Sequence, residues 1–419
     1  MSRRRMPATT RIPAAGWLLL AVVSFSALQS AQTHGATPAA AQLVPLDGRA
    51  YSASLLRLEA DGRIMLGVDG KPQTIPAGQW VRWGAPAPFA PSGPIVLAAD
   101  GSLLPIDQQF EPVVLQGEKL NCDTRRLGRL QLPLPSVRGL VYHLPARIQQ
   151  ADVLMREILD AQGSADQLLL ANGDRLSGTL TQLGADKLLL EVDQIPLELE
   201  VRNVVAVIFN PALARRPPAT KERMVVGLSD GTRLQCQAAV SSGTSLSMTT
   251  QNGLKLSSAL ANVVWLQALS EKVAYVSDFQ DAGYRHTPYL SLNWPYERDR
   301  NVLGGQLRCG GRAYLKGLGM HSTSLIRYAL DKPYRRLDAE IGIDDETGSR
   351  GSVIFRVYVD TGDGQWQRRY ESPIVRGGQA PVPISVDLKG AKRIALVADV
   401  ADRGDELDHA NWLDARLVP

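Results

Sequence analysis

Cysteine is scarce in this sequence: three residues in 419, Cys122, Cys236 and Cys309, widely separated and without a CxxC pair or a Cys/His metal spacing. That rules against a disulfide-stapled scaffold or a zinc module. The three thiols read either as small buried apolar residues or as one pair with one left over. Charge of one sign is also missing. Lys+Arg total 46 against 42 Asp+Glu, a formal net charge of +4, and part of that excess sits in Arg3-Arg4-Arg5 and Arg11 near the N-terminus. Aromatics make up 6%, and no basic stretch is interleaved with them, which argues against a nucleic-acid face. No GxSxG, HExxH or P-loop motif is present, so the familiar hydrolase, metalloprotease and nucleotide chemistries have no signature. The longest apolar run, residues 16–28, falls short of the ~20 residues of a comfortable membrane span.

What is there fits a folded, multi-domain protein: 44% hydrophobic and 21% charged over a length that suggests two to four domains. Residues 1–41 read as a signal peptide and short linker, with a basic start, an apolar stretch and small residues after it. An uncleaved anchor is the alternative, and either places the bulk of the chain outside the cytoplasm: secreted, periplasmic or cell-surface. From residue 42 to 270 an apolar strand repeatedly leads into a Gly-containing turn: Asp61-Gly62, Asp100-Gly101, Asn172-Gly173 and Asp230-Gly231. Such turns need positive φ and signal hairpins. Four such units, in two stretches at 42–145 and 167–270, predict small SH3/Sm-like antiparallel β units packed in pairs. Ile148, Val153-Leu154 and Ile158-Leu159 recur at helical spacing, so 146–166 is expected to hold one linking helix between the second and third units.

Residues 271–419 are of another kind. Strand candidates lie at 273–276, 305–309, 325–330, 336–343, 352–360, 366–371, 383–388 and 393–400, with Leu337, Ala339, Ile341 and Ile343 alternating cleanly. About eight strands without a helix predict a two-sheet jelly-roll β-sandwich. Three runs punctuate it: Gly317-Leu318-Gly319-Met320-His321-Ser322, Gly342-Ile343-Asp344-Asp345-Glu346 and Asp408-His409-Ala410-Asn411-Trp412-Leu413-Asp414-Ala415. Their acidic, imidazole and indole groups, read as strand ends, are of the kind that bond sugar hydroxyls or stack on a sugar ring.

These runs, together with Arg350-Gly351-Ser352-Val353, Glu371-Ser372-Pro373 and Arg376-Gly377-Gly378, resemble the NPCBM/NEW2 family, also grouped as carbohydrate-binding module family 51. The resemblance spans residues 272–418. It implies a galactose-binding-like sandwich that recognises glycans in exported proteins. Carried over by motif, it points to His321, Asp344, Asp345, Asp408, His409 and Trp412 as carbohydrate-binding residues, while Asn411 stands where the family more often has Asp. Related sandwiches often hold a structural Ca2+, for which Asp278, Asp281 and Asp414 are oxygen-ligand candidates.

Glycosidase chemistry needs two carboxylates roughly 5 to 9.5 Å apart across a cleft. Asp344 and Asp345 are adjacent, and on a strand would face opposite ways. The expectation is therefore an exported, non-catalytic carbohydrate-binding protein with a glycan or polysaccharide as partner, its N-terminal repeats serving as spacers or grips for protein partners. The alternative is a cell-surface structural or protein-interaction protein that keeps the sandwich without sugar affinity.

Overall fold

The computed structural model describes residues 39–86, 93–107, 109, 111–215, 222–270, 272–402 and 404–419. The expected signal peptide lies outside these residues up to position 38, and a strand already begins at Ala41. Among the described residues no helix is long and apolar enough to cross a membrane.

The repeats are four antiparallel β units. The first contains Ala41–Pro45, Tyr51–Leu58, Ile64–Val68, Lys71–Ile75 and Trp80–Gly84. The fourth runs Arg223–Leu228, Arg233–Ser242, Ser245–Thr250, Lys255–Ala259 and Val263–Leu269. In every unit the first strand pairs with both the second and the last, the closure of an SH3-like barrel. A single 3-10 turn precedes the last strand in units two to four. The turn between first and second strands carries the repeat signal, because the Asx side chain caps the backbone two residues on: Asp100 accepts from Ser102 N–H, Asn172 from Asp174 N–H, Asp230 from Thr232 N–H. In the first unit that turn is Asp47-Gly48, with φ +105° at the glycine, whereas Asp61-Gly62 closes the following hairpin.

The units pair by nesting. The last strands of units one and four lie side by side, with Trp265 opposite Gly84 and Gln267 opposite Arg82. Those of units two and three do the same, with Gly139 opposite Ile208. Backbone closeness dictates both glycines. A Cβ on Gly84, at φ +73°, would stand 2.0 Å from the Val264 carbonyl oxygen. A Cβ on Gly139 would stand 2.7 Å from the Val207 carbonyl oxygen and 2.6 Å from Ile158 Cγ2. Ile158 belongs to the helix Ile148–Asp160, whose Leu154, Met155 and Ile158 pack on Ile95, Leu97, Val141, Ala206 and Ile208 of units two and three. The linking helix thus sits where its amphipathic pattern placed it.

The C-terminal domain is a sandwich. One sheet orders Glu297–Arg298, Gly317–His321, His409–Val418, Arg336–Ile343 and Val382–Asp387; the other orders Gly283–His286, Ser324–Ala329, Arg393–Val400, Ser352–Asp360 and Gln367–Glu371. Two of the runs expected at strand ends are themselves strands. Gly317–His321 and His409–Val418 are buried throughout and pair in register, the second lying at the centre of its sheet. Glycines in the first run and polar residues in the second broke the alternation and hid the strands, and the central strand is covered on both faces.

The domain is bonded to the β units through buried polar contacts. Arg82 of unit one reaches Glu340 and Asp414. Asp152 of the helix accepts from Arg308 and from Gln306 N–H, and Gln149 accepts from Asn301.

Candidate functional site at one end of the sandwich

His321 ends one strand and His409 begins the next, and the two are register partners, so their rings meet at 5.6 Å between centroids. Onto this pair the loop between Gly283–His286 and Glu297–Arg298 lowers Trp294. Its indole lies flat on His321, 4.9 Å between centroids with planes 4° apart, and 6.0 Å from His409. His286 anchors the loop backbone that carries the indole: Nδ1 accepts from the Trp294 backbone N–H at 3.2 Å, and Nε2 lies 3.0 Å from the Ser322 carbonyl. Trp294 stays half-exposed, and the same loop presents Tyr289, 73% exposed. Glu346 Oε1 lies 3.2 Å from His409 Nδ1, close enough for an ion pair but not aligned as a hydrogen bond. Burial pushes the His409 imidazole down to about 4, with His321 adding to the shift; burial lowers His321 as well and raises Glu346. Both imidazoles are therefore neutral at pH 7.

The acidic candidates brace this end of the domain from inside. Asp408 is fully buried; Oδ1 accepts from Ser352 N–H at 2.7 Å and Oδ2 from Ser322 Oγ at 2.6 Å. Asp344, also buried, accepts from Asn301 Nδ2, Glu346 N–H, Arg308 N–H and Asn411 Nδ2, and its own N–H donates to the His409 carbonyl. Burial pushes both carboxyls up to about 6. The amide at Asn411 suits this arrangement, since a carboxylate there would face the Asp344 carboxylate. Asp345 ties down the turn of the Leu307–Cys309/Arg312–Tyr314 hairpin, accepting from Gly310 and Gly311 N–H at 2.8 Å each.

Of the six carbohydrate-binding candidates, then, His321, His409, Asp408 and Asp344 converge on one end, and Asp345 borders it at the hairpin. Trp412 does not join them. It is wholly buried between the sheets, edge-on to Phe355 at 5.2 Å, and has no face to offer a sugar. A central strand turns its side chain into the core, and the stacking surface passes to Trp294. Neither Trp294 nor His286 stood out in the sequence, because their loop has no periodic pattern; Leu292-Asn293-Trp294-Pro295-Tyr296, aromatics next to a proline in a non-strand stretch, was the available signal.

The residues do not fit a calcium site. Asp278 binds Lys316 Nζ at 2.6 Å, Asp281 binds Tyr296 and Arg298, and Asp414 lies 3.1 Å from Arg82 Nε. Each carboxylate is occupied by a different cation of the chain, and among the described residues no three His, Cys, Asp or Glu side chains group to hold a metal.

Comparison with known proteins bears on the same region. A protein of Renibacterium salmoninarum named as an endo-alpha-N-acetylgalactosaminidase is 35% identical over 154 residues, 35% of this chain and 10% of its own length. Alpha-1,3-galactosidase B of Akkermansia muciniphila is 33% identical over 120 residues, 28% of this chain and 14% of its own length. The chain thus spans a small fraction of these relatives. Among solved structures, the CBM51 module from Clostridium perfringens GH95 in complex with methyl-galactose is 22% identical, covering 35% of this chain and 99% of its own at a TM-score of 0.31. A CBM51 structure from C. perfringens ZmpB with GlcNAc is 27% identical, covering 44% and 40%, also at 0.31. The family model of the NPCBM/NEW2 domain matches residues 272–418, and the C-terminal third of this chain is therefore an NPCBM/NEW2 domain.

Proposed function

We propose that this chain is an exported, non-catalytic carbohydrate-binding protein whose C-terminal domain holds a glycan against Trp294, with the four β units as spacer and assembly modules. The observation that carries the reading is the half-buried indole backed by His321, with exposed Tyr289 in the same loop. A sugar ring presents its C–H face to such a surface, while Glu346 and the turn at Asp345 supply acceptors at the rim. The buried Asp344 and Asp408 act on the ligand only by holding the loops that frame it. Their raised carboxyls are closed off by donors of the chain, which supports binding over hydrolysis.

The test is a glycan array with the full chain, followed by calorimetry on the strongest glycan. Losing a stacked indole removes about 1.5–3 kcal/mol of burial, so Trp294→Ala should weaken binding tenfold or more with the melting temperature unchanged. Trp412→Ala should instead lower stability by about 3–5 kcal/mol through the cavity it leaves. Undiminished binding by folded Trp294→Ala would remove the site from this loop. The second reading, a cell-surface structural or interaction protein without sugar affinity, draws on the burial of both imidazoles. A folded chain that binds nothing on the array would favour it.

A further inference from the structure

A second cleft lies where the helix Ile148–Asp160, the fourth β unit and the C-terminal domain meet. It encloses about 390 Å³, within the range of small-molecule sites. Its polar lining is mostly cationic, and the carboxylates within it are already taken. Asp152 is committed to Arg308 and to Gln306 N–H, and Asp299 to Lys316. Arg298 and Arg156, also in the lining, are paired with Asp281 and Asp160. That leaves Arg223, Arg233 and Arg300 facing one cavity without a carboxylate at ion-pair distance from any of them among the described residues. Arg233 is the most enclosed. Its Nη1 donates to Gln306 Oε1 at 3.0 Å, and its Nε is buried with no partner at all.

Such a cluster is costly without a counter-charge. Desolvation disfavours the guanidinium of Arg233 and of Arg300, and repulsion from neighbouring cations adds to it. Both effects are visible at Arg233, where burial and then Arg308 and Arg300 pull the guanidinium down to about 10 against the opposing pull of Asp152. Arg300 is lowered by burial and by Arg156. A guanidinium fork is built to grip an oxyanion through paired N–H donors, and one anion in this space would offset three like charges together.

We propose that this cleft binds a small ligand through an oxyanion group, a carboxylate, sulfate or phosphate, held by Arg233 and Arg300 with Arg223 at the mouth. The site is separate from Trp294 and takes charge where that surface takes a neutral ring. Shared oxyanion chemistry admits two sources, an acidic sugar or a free inorganic anion, and the probes separate them. The full chain is titrated calorimetrically with sodium sulfate, inorganic phosphate, galacturonate and neutral galactose, with ionic strength held constant by sodium chloride. Saturable binding of at least one anion is expected, weakened tenfold or more in Arg300→Gln and in Arg223→Gln. Tighter binding of galacturonate than of the inorganic ions identifies an acidic sugar; the reverse order identifies a free oxyanion. Arg233→Gln should abolish binding, and because it relieves repulsion it should not lower the melting temperature of the ligand-free chain. Were that variant to misfold, the other two decide. No saturable response to any anion, or a response unchanged in both Arg300→Gln and Arg223→Gln, overturns the proposal.

Discussion

Arg82→Met should detach the first β unit from the C-terminal domain energetically, and the size of the effect follows from what the guanidinium leaves behind. Arg82 Nε lies 3.1 Å from Asp414 Oδ2, and Nη2 lies 3.1 Å from Glu340 Oε1, with the group over the Tyr314 ring. The side chains of Arg82 and Asp414 are 7% and 5% exposed, so water cannot replace the lost partner. Glu340 keeps Tyr314 and Arg312, whereas Asp414 keeps, among the described residues, only Gln267 at 3.4 Å as a hydrogen-bonding partner on its carboxylate. Removing one side of such a buried pair costs about 3–5 kcal/mol, nearly all of it as stranded charge at Asp414. Burial already raises the Asp414 carboxyl, and Arg82 is the strongest influence holding it down. Without Arg82 it rises further, so the deficit is small where the carboxyl is protonated in the folded state of both proteins. The deficit grows as pH rises through the folded value. Urea denaturation followed by tryptophan fluorescence at pH 4.5 and 7.5 should show the larger deficit at 7.5. Arg82→Met combined with Asp414→Asn should recover at least half of it. A deficit below about 1 kcal/mol, equal deficits at the two pH values, or no recovery in the double variant would refute the stranded-charge account.

Two further outcomes are expected. His409 titrates near 4 when folded against an ordinary value near 6.5. A depressed histidine contributes stability above its unfolded pKa and loses it as pH falls through the folded one, here about 3 kcal/mol between pH 7 and pH 4. His409→Gln should lack that loss in parallel denaturation series, and an identical acid slope in both proteins would refute it. The thiols of Cys122, Cys236 and Cys309 are each pushed up to about 12, chiefly by burial. Iodoacetamide at pH 8 should modify none of them in the folded chain and all three in urea; rapid alkylation of any one in the native protein would contradict its burial.

The parts of this protein legible in its sequence are those governed by local rules. Asx-Gly turns announced the four β units because the turn itself demands those residues, and Ile148 to Leu159 announced the helix because one face must be apolar. The nested pairing of units was not legible. It depends on Gly84 and Gly139, whose need is a neighbouring backbone more than a hundred residues away for the first and some seventy for the second. The C-terminal motifs converge on one end of the sandwich, but the sequence assigned their roles by residue type. Trp412 was the conspicuous indole in a motif, and Trp294 an inconspicuous one in a loop; only the partner strand decides which of the two reaches solvent.

That distinction has a physical basis. A carboxylate or amide that accepts from several N–H groups serves equally well for sugar hydroxyls or for the backbone of its own loops, so composition at such a motif cannot separate binding from bracing. Asp344 shows which use prevails here: its oxygens accept from Asn301, Arg308, Glu346 and Asn411, and its N–H reaches the His409 carbonyl. It thereby joins the helix-facing loop at Asn301, the hairpin at Arg308 and the central strand at one point. Through Asn301 the same network continues to Gln149 on the helix. The end of the sandwich that carries Trp294 and the face that docks on the β units are therefore connected by one chain of hydrogen bonds.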